Sequence, residues 1–507
     1  MGMNITTEAL GALTESRILG IRRGVEKESL RVTAQGTLAQ TPHPLALGSA
    51  LTHPHITTDF CESQVELVTG VHPTAQSCLQ ELQEVHQFTE QAIGDEMLWV
   101  SSMPCCLPED GAIPLGQYGS SNVGLAKNVY RTGLGHRYGR RMQTISGIHY
   151  NWSLPEVSSE AYFSLIRNFR RHAFLLLYLF GASPAVNSSF VAGRQHPLQT
   201  LSEDTLYLPY ATSLRMGRLG YQSDAQASLA VSYNGLQGYG DSLQGALTRP
   251  YPAYEAIGVR GEDGRYRQLS TTLLQIENEF YGTIRPKRVI FAGERPLHAL
   301  RERGVEYVEV RLMDLDPFEP LGISTQTMRF LDVFLAHCLL SESPPDTPEE
   351  IAAMARNQHA VAERGREPGL VLQRGASAVA LAHWGQEVVE AMLPIARKFD
   401  IVNGATEHVD AVRAAIQGLN QPDTLPSARV LQSVREDYAG SFVGFVQARS
   451  RHTKNAMLQT PLQPAVRERL ELQSRESMQA QRAIEAADTM PFDIYLKEYL
   501  SPLRLLV

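Results

Sequence analysis

The segment that decides the fold is GVEKESLR, residues 24–31, which places Glu26 and Glu28 two positions apart. In an extended strand the side chains alternate between faces, so these two glutamates point the same way and Val25 points the other way. Carboxylates gathered on one face repel each other unless cations lie between them. Three later segments supply further acidic or histidine positions, namely TTDFCESQVELVTG (57–70), TISGIHYNWSLP (144–155) and VEYVEVRLMD (305–314).

The alternation in these segments indicates strands with one apolar and one polar face. His149 shares a face with Asn151 while Tyr150 points to the other side, and Glu309 shares a face with Arg311. One such strand alone is more typical of a sheet that faces bulk water. Four strands that each carry an acid or a histidine near their middle favour a functional site instead. Hard oxygen donors with one imidazole suit Mg²⁺ or Mn²⁺ far better than zinc. The pattern therefore predicts metal-assisted phosphate chemistry.

Length, composition and charge are those of an ordinary globular protein. The chain has 507 residues, of which 43% are hydrophobic and 20% charged, and its net charge is -8. That charge gives no electrostatic reason to expect nucleic acid or an anionic membrane. The most apolar run, AFLLLYLF at 173–180, is far shorter than the roughly 20 residues that span a bilayer. With no secretory signal at the N-terminus, we expect a cytoplasmic protein without nucleic-acid or membrane partners.

Two regions differ in their predicted secondary structure. Residues 1–330 mix strand-like runs with helices at 77–93 and 160–181, and Gly- and Tyr-rich loops are expected at 115–139 and 231–243. The strands come without a regular βαβ alternation, which favours an antiparallel or mixed sheet in an α+β fold.

An acidic, proline-rich connector, SESPPDTPEE at 341–350, precedes the mainly helical remainder of the chain. Thr347, Pro348 and Glu350 are typical of the start of a helix. We predict a catalytic core over residues 1–345 and a helical region over 346–507 that packs on it as one integrated unit.

Several common catalytic and nucleotide-binding motifs are absent from the sequence. There is no GxxxxGK[ST] loop, and GLGHRYG at 133–139 has one residue too many for GxGxxG. Neither HExxH nor GxSxG occurs. If a nucleotide binds, metal ions bridged by carboxylates must hold its phosphates.

A series of motifs in a fixed order resembles the proteobacterial type of glutamate–cysteine ligase, also called γ-glutamylcysteine synthetase. The resemblance is dense from about residue 20 to 345 and thin beyond. Its motifs include GVEKESLR, YGSSNVGLAKNVYRTGL, MQTISGIHYNWSLP, PYATSLRMGRLGY, IENEFYGTIRPKR and VEYVEVRLMDLDPF. The resemblance implies a glutamine-synthetase-like fold, in which a curved antiparallel sheet forms a funnel with helices packed outside.

The same resemblance implies an activity and its cofactors. The family uses ATP and divalent ions, Mg²⁺ or Mn²⁺, to join the γ-carboxylate of L-glutamate to the amine of L-cysteine through γ-glutamyl phosphate, the first step of glutathione biosynthesis. Feedback inhibition by glutathione at the glutamate site is the family precedent.

Site residues are implied position by position. Arg311 and Glu309 match catalytic positions, with Arg311 beside the transferred phosphoryl group. The positions that match metal ligands are Glu26, Glu28, Asp59, Glu66, His149 and Glu309. The positions that match the cysteine and glutamate pockets are Phe60, Tyr130, Arg131, Arg215, Tyr221 and Tyr281. Each pocket tyrosine has a competing interpretation as a core or rim aromatic, and Arg215 has one as a surface ion pair.

Three alternatives remain open from the sequence. A carboxylate–amine ligase with another amine acceptor would carry the same metal site, because only the acceptor pocket differs. A non-catalytic sensor of a thiol metabolite is disfavoured by the intact acids and by Arg311. A phosphagen-type kinase is the most distant of the three.

Overall fold

A seven-stranded sheet organises the N-terminal part of the chain. The computed structural model describes residues 5–220, 225 and 229–506. The sheet has the order β2-β3-β1-β5-β10-β9, with β4 paired to the end of β1. Its neighbouring strands all run antiparallel, which confirms the predicted antiparallel sheet of an α+β fold. The strands in the described part of the chain are β1 Arg22–Val32, β2 Ile56–Thr58, β3 Gln64–Val68, β4 Met97–Leu98, β5 Ile148–Ser153, β6 Ala185–Asn187, β7 Gln199–Thr200, β8 Thr205–Tyr207, β9 Ile284–Lys287, β10 Tyr307–Met313, β11 Val371–Arg374 and β12 Ser377–Ala380.

Helices cover the apolar face of this sheet. Val25, Ile148 and Val310 belong to one large buried cluster with the helices Ala75–Ala92, Ser159–Phe180 and Thr325–Leu340. The opposite, polar face is thereby left for the site. The α-helices are Thr7–Gly11, Glu15–Leu19, Ala75–Ala92, Asn122–Tyr138, Ser159–Phe180, Leu236–Thr248, Pro252–Ile257, Pro296–Arg303, Thr325–Leu340, Pro348–Arg364, Leu381–Asn403, Glu407–Asn420, Pro426–Glu436, Phe442–Gln459, Pro464–Ala487 and Phe492–Tyr499.

The segment 115–139 was predicted as a loop, and this prediction was wrong from Asn122 onward. Asn122–Tyr138 is a helix that begins after Ser121, whose hydroxyl accepts a hydrogen bond from the Gly124 amide. Its glycines serve close packing, since a Cβ at Gly124 would lie 2.3 Å from the carbonyl oxygen of Tyr118. The loop predicted over 231–243 is present only up to residue 235, because a helix occupies Leu236–Thr248.

The C-terminal region is mainly helical, as predicted. Thr347 caps the helix Pro348–Arg364 by accepting a hydrogen bond from the Glu350 amide. The hairpin of β11 and β12 interrupts the helices and was not predicted. The large buried cluster contains residues from both sides of residue 345, such as Leu13 and Trp384. The boundary at residues 345 and 346 stays a prediction.

No helix in the described part of the chain combines the length and the apolar character needed to cross a membrane. The run AFLLLYLF lies inside the helix Ser159–Phe180, where its leucines are buried in the large cluster.

Candidate active site

The strand register brings the predicted polar side chains onto one face of the sheet. In the pairing of β1 with β5, Glu26 lies opposite His149, and in the pairing of β1 with β3, Glu28 lies opposite Glu66. In the pairing of β5 with β10, Glu309 lies opposite Asn151. Since opposite residues of an antiparallel pair point to the same side, the alternation predicted from the sequence is confirmed.

Short polar contacts fix the carboxylates of β1. The Nδ1 atom of His149 lies 3.0 Å from Oε2 of Glu26, and Asn151 Nδ2 donates to Oε1 of the same carboxylate at 2.9 Å. The Gly147 amide donates to Oε2 of Glu28 at 2.7 Å, while His149 Nε2 lies 3.6 Å from Oε1 of Glu28. His149 therefore stands between the two glutamates of the GVEKESLR segment.

The half of the polar face that carries Glu26, Glu28, Glu66 and His149, called the acidic half here, fits a divalent cation. Glu26, Glu66 and His149 each offer one ligand atom, and these atoms all lie within 4.8 Å of one another. Burial and the neighbouring carboxylates of Glu26, Asp59 and Glu28 raise the pKa of Glu66 well above its usual value. A divalent cation would relieve that repulsion with hard oxygen ligands.

The pKa values of Glu28 and His149 are also shifted by burial and by neighbouring charges. Burial and the carboxylate of Asp59 raise the pKa of Glu28 to about 8. Burial and the guanidinium of Arg311 lower the pKa of His149, which leaves its imidazole neutral and able to ligate a metal. Asp59 itself lies in the turn between β2 and β3, where its amide donates to the Gln64 carbonyl.

In the neighbouring half of the polar face, basic side chains surround the carboxylate of Glu309. Glu309 is buried, and Lys287 Nζ lies 3.3 Å from its Oε1 while Arg311 Nη1 lies 3.2 Å from its Oε2. Arg285 Nη1 lies 3.9 Å from the same Oε2. Burial opposes ionisation of Glu309, but Lys287 and Arg311 outweigh it and hold the pKa of Glu309 well below its usual range.

Three of the predicted pocket aromatics, Phe60, Tyr130 and Tyr281, lie within the described part of the chain. Phe60 is buried directly after Asp59, and Tyr130 packs against the same apolar cluster. Gln143 Nε2 donates to the Tyr281 hydroxyl at 2.7 Å. Burial, Glu279 and Tyr281 raise the pKa of Tyr130 well above its usual value.

The two predicted pocket arginines contact the backbone of the segments that carry the predicted metal ligands. Arg131 Nε donates to the Asp59 carbonyl at 2.5 Å, and its guanidinium lies 4.3 Å from the ring centre of Tyr118. Arg215 is buried, and its Nη2 donates to the Arg311 carbonyl at 2.7 Å. The surface interpretation of Arg215 is therefore wrong. Tyr221 lies outside the described residues.

Two basic residues of this face were not predicted from the sequence, and Asn151 was placed on the face without a role. Arg285 and Lys287 alternate in IRPK (284–287), and Asn151 follows His149 by two positions. Strand parity could have identified Arg285 and Lys287 as well if IRPK had been assigned to a strand.

Comparisons with known proteins all point to the same protein family. A family model described as glutamate-cysteine ligase matches residues 9–361. The chain is 46% identical to the glutamate–cysteine ligase of Alcanivorax borkumensis over 97% of both chains. It is 47% identical to that of a Janthinobacterium species over 94% of both chains.

Two solved structures share the fold. The glutamate–cysteine ligase of Francisella tularensis, solved in complex with AMP, superposes with a TM-score of 0.90 at 37% identity, over 95% of this chain and 97% of the other. A bifunctional glutathione synthetase from Pasteurella multocida superposes with a TM-score of 0.69 at 25% identity, over 89% of this chain and 55% of the other. Both similarities extend well beyond the sheet.

Proposed function

The chain belongs to the glutamate–cysteine ligase family, and we propose that the polar face of its sheet performs the ligation through γ-glutamyl phosphate. The enzyme joins the γ-carboxylate of L-glutamate to the amine of L-cysteine, the first step of glutathione biosynthesis. ATP is the proposed energy source, and the relative from Francisella tularensis, solved with AMP, supports a nucleotide site.

The acidic half of the face is the proposed Mg²⁺ or Mn²⁺ site. The residues that would hold the cations are Glu26, Glu28, Asp59, Glu66, His149 and Glu309. Raised pKa values at Glu28 and Glu66 support this proposal, because a nearby cation would favour the ionised form of these two buried carboxylates. When bound, the cations would neutralise charge on the β- and γ-phosphoryl oxygens of ATP.

The proposed reaction has two steps. A γ-carboxylate oxygen of glutamate attacks the γ-phosphorus of ATP, the bond from this phosphorus to the bridging oxygen of ADP breaks, and γ-glutamyl phosphate forms. The uncharged cysteine amine then attacks the acyl carbon and loses a proton, and the carbon–oxygen bond to phosphate breaks. The products are γ-glutamylcysteine, ADP and phosphate.

Arg311 is the proposed donor to the charge that develops in both steps. Its guanidinium lies beside Glu309 and within 3.4 Å of Nδ1 of His149, so it borders the acidic half. A planar fork of donors can hold two oxygens of a phosphoryl group or a tetrahedral oxyanion. Arg215 would position Arg311 through its backbone carbonyl.

The proposed substrate pocket is formed by Phe60, Tyr130, Arg131, Arg215, Tyr221 and Tyr281. Phe60, Tyr130 and Tyr281 supply buried or half-buried aromatic surface, and Phe60 directly follows Asp59. Such surface suits the small polarizable thiol of cysteine. Glutathione carries the same γ-glutamyl group as the product, which supports the proposal that it competes at the glutamate site. We also propose activity in the cytoplasm, as expected from the sequence.

One observation carries the proposal: a single sheet face holds four glutamates, one neutral histidine and Arg311 side by side. The test is release of ADP by the purified chain with ATP, Mg²⁺, glutamate and each of the twenty amino acids in turn. We expect ADP release to depend on cysteine and γ-glutamylcysteine to appear in equal amount. Equal release with another amine and none with cysteine would replace this assignment by a ligase with a different acceptor, and no release with any amine would favour a binding protein.

A further inference from the structure

The C-terminal helices are attached to the helix that carries two of the predicted pocket residues. The helix Asn122–Tyr138 contains Tyr130 and Arg131. The last two α-helices in the described part of the chain are Pro464–Ala487 and Phe492–Tyr499, and the segment between them contacts the first residue of Asn122–Tyr138. The C-terminal region is therefore in direct contact with an element of the proposed substrate pocket.

The carboxylate of Asp488 holds the first residue of that helix. The Asn122 amide donates to Oδ2 of Asp488, and Asn122 Nδ2 donates to Oδ1 at 2.6 Å and to the Met490 carbonyl at 2.7 Å. Just before the helix, the Ser120 amide donates to Oε1 of Glu485 at 2.8 Å. The first amide groups of a helix have no carbonyl partner within it, and a carboxylate at this end interacts favourably with the helix dipole. Asp488 therefore fixes the place where the helix begins.

The last of the C-terminal α-helices packs against the side of the same helix. Its Leu496 forms a buried apolar cluster with Ala126 and Leu269, and Tyr130 packs against this cluster. Tyr130 also packs against the apolar cluster that contains Phe60. Tyr130 therefore joins the packing of the C-terminal helix to that of a second predicted pocket residue.

Arg131 links the position of the helix to the segment of Asp59. Its Nε donates to the Asp59 carbonyl at 2.5 Å, and its Nη1 donates to the Lys127 carbonyl within the helix at 3.1 Å. The rise from Asn122 to Arg131 is about 13 Å along the helix axis, so a small tilt at the start of the helix displaces the pocket side chains. A misplacement of about 1 Å can cost about 100-fold in rate.

We propose, as an extension of the proposed function, that Asp488 is a positioning residue for the cysteine acceptor. It holds the start of the helix Asn122–Tyr138 and thereby aligns Tyr130 and Arg131 with Phe60. Asp488 acts through this helix and not by contact with the substrate. The C-terminal region then takes part in binding the amine acceptor, although the reacting groups are held by the sheet.

The experiment measures the KM for cysteine and the KM for ATP of the full-length chain by release of ADP. The variants are Asp488→Ala, Asp488→Asn, which keeps an acceptor oxygen, and the matched control Asp493→Ala. The Asp493 carboxylate contacts exposed Arg260 and Tyr266 instead of the helix. Hydrogen-exchange mass spectrometry of residues 122–138 reports on the start of the helix independently of activity. Asn122→Ala, which removes the donor to Oδ1 of Asp488, gives the same test if Asp488→Ala does not fold.

We expect Asp488→Ala to raise the KM for cysteine about 5- to 50-fold and to change the KM for ATP by less than about 2-fold. Hydrogen exchange in the first turns of the helix should become faster. Asp488→Asn should recover most of the loss, and Asp493→Ala should change neither constant by more than about 2-fold.

A purely structural role for Asp488 would lower the active fraction, and so the apparent kcat, with both KM values unchanged. That result, equal rises in the KM for cysteine and for ATP, or unchanged hydrogen exchange over 122–138 would overturn the inference. Failure of the wild-type chain to form γ-glutamylcysteine would instead overturn the proposed function. Hydrogen exchange would still test whether Asp488 fixes the helix.

Discussion

Nδ1 of His149 lies 3.0 Å from Oε2 of Glu26, across the antiparallel pair of β1 and β5. The contact joins the only imidazole predicted for the metal site to the first glutamate of GVEKESLR. Glu66 approaches the same two side chains from β3, so that three strands contribute to the proposed cation site. A sheet with this order is therefore suited to assemble the site from segments that are distant in sequence.

Glu66→Gln should abolish ligation and leave the fold intact. The loss of one anionic ligand should cost several kcal/mol of transition-state stabilisation, or about 10³-fold or more in kcat. Because like charges and burial raise the pKa of Glu66, its neutralisation should leave the melting temperature of the metal-free protein equal or higher. The measurements are kcat and the thermal shift on adding MgCl₂, with exposed Glu160→Gln as the control. A normal kcat in Glu66→Gln, or full activity of the wild type in excess EDTA, would contradict the metal site.

Arg311→Lys should lose most of kcat while the KM for ATP changes little. Lysine keeps the positive charge but lacks the planar fork that holds two oxygens. A donor that acts mainly as charge develops shows its loss in kcat instead of in ground-state binding. Steady-state kinetics at saturating glutamate and cysteine measure both constants. A rise in the KM for ATP with an unchanged kcat would make Arg311 a nucleotide-binding residue only.

The acceptor preference should run from L-cysteine to L-2-aminobutyrate to L-serine. Contacts between sulfur and aromatic rings are worth about 0.3–1.5 kcal/mol, so kcat/KM should fall roughly 2- to 13-fold for aminobutyrate. Serine must bury a hydroxyl in the same pocket and should be rejected more strongly. Tyr281→Leu should reduce the preference, whereas Tyr281→Phe, which keeps the ring, should retain it. Equal preference in the wild type and Tyr281→Leu would remove Tyr281 from the pocket.

His337→Leu should make the protein less sensitive to acid. Burial lowers the pKa of His337 to about 4, and neither ring nitrogen has a hydrogen-bond partner within the described ranges. Between pH 6.5 and 4 the unfolded chain therefore binds a proton that the folded chain does not, and the free energy of unfolding falls as the pH falls. Because of this residue, the free energy of unfolding should be about 2 kcal/mol lower at pH 5 than at pH 8.

Urea unfolding at pH 8 and pH 5 measures this difference. His337→Leu should show a fall in the free energy of unfolding that is smaller than that of the wild type by about 2 kcal/mol. His196→Leu, at an exposed position, is the control. If His337→Leu and the wild type showed the same pH dependence, the lowered pKa of His337 would be contradicted.

The polar face could be predicted from the sequence because strand parity is a local property. The alternation of side chains in β1, β3, β5 and β10 places Glu26, Glu66, His149 and Glu309 on one side whatever the strand order. The strand order itself and the distances between strands depend on long-range pairing, which no short segment encodes.

Two features were missed for identifiable physical reasons. The helix Asn122–Tyr138 contains Gly124, Gly133 and Gly135, which lower helix propensity, but tertiary packing against Tyr118 and Gln275 overrides that preference. The strand β9 contains Pro286, which argues against a strand in the middle of a sheet. β9 lies at the edge of the sheet, where proline is tolerated, and so Arg285 and Lys287 escaped assignment.

The central claim is that this sheet face transfers a phosphoryl group to glutamate before the amine attacks. The most direct measurement uses glutamate labelled with ¹⁸O in both γ-carboxylate oxygens, together with ATP, Mg²⁺ and cysteine, and mass spectrometry of the inorganic phosphate released. We predict that each phosphate carries one ¹⁸O atom, because the oxygen that attacked phosphorus leaves with it. Unlabelled phosphate formed together with γ-glutamylcysteine, or label found in AMP instead, would contradict the account.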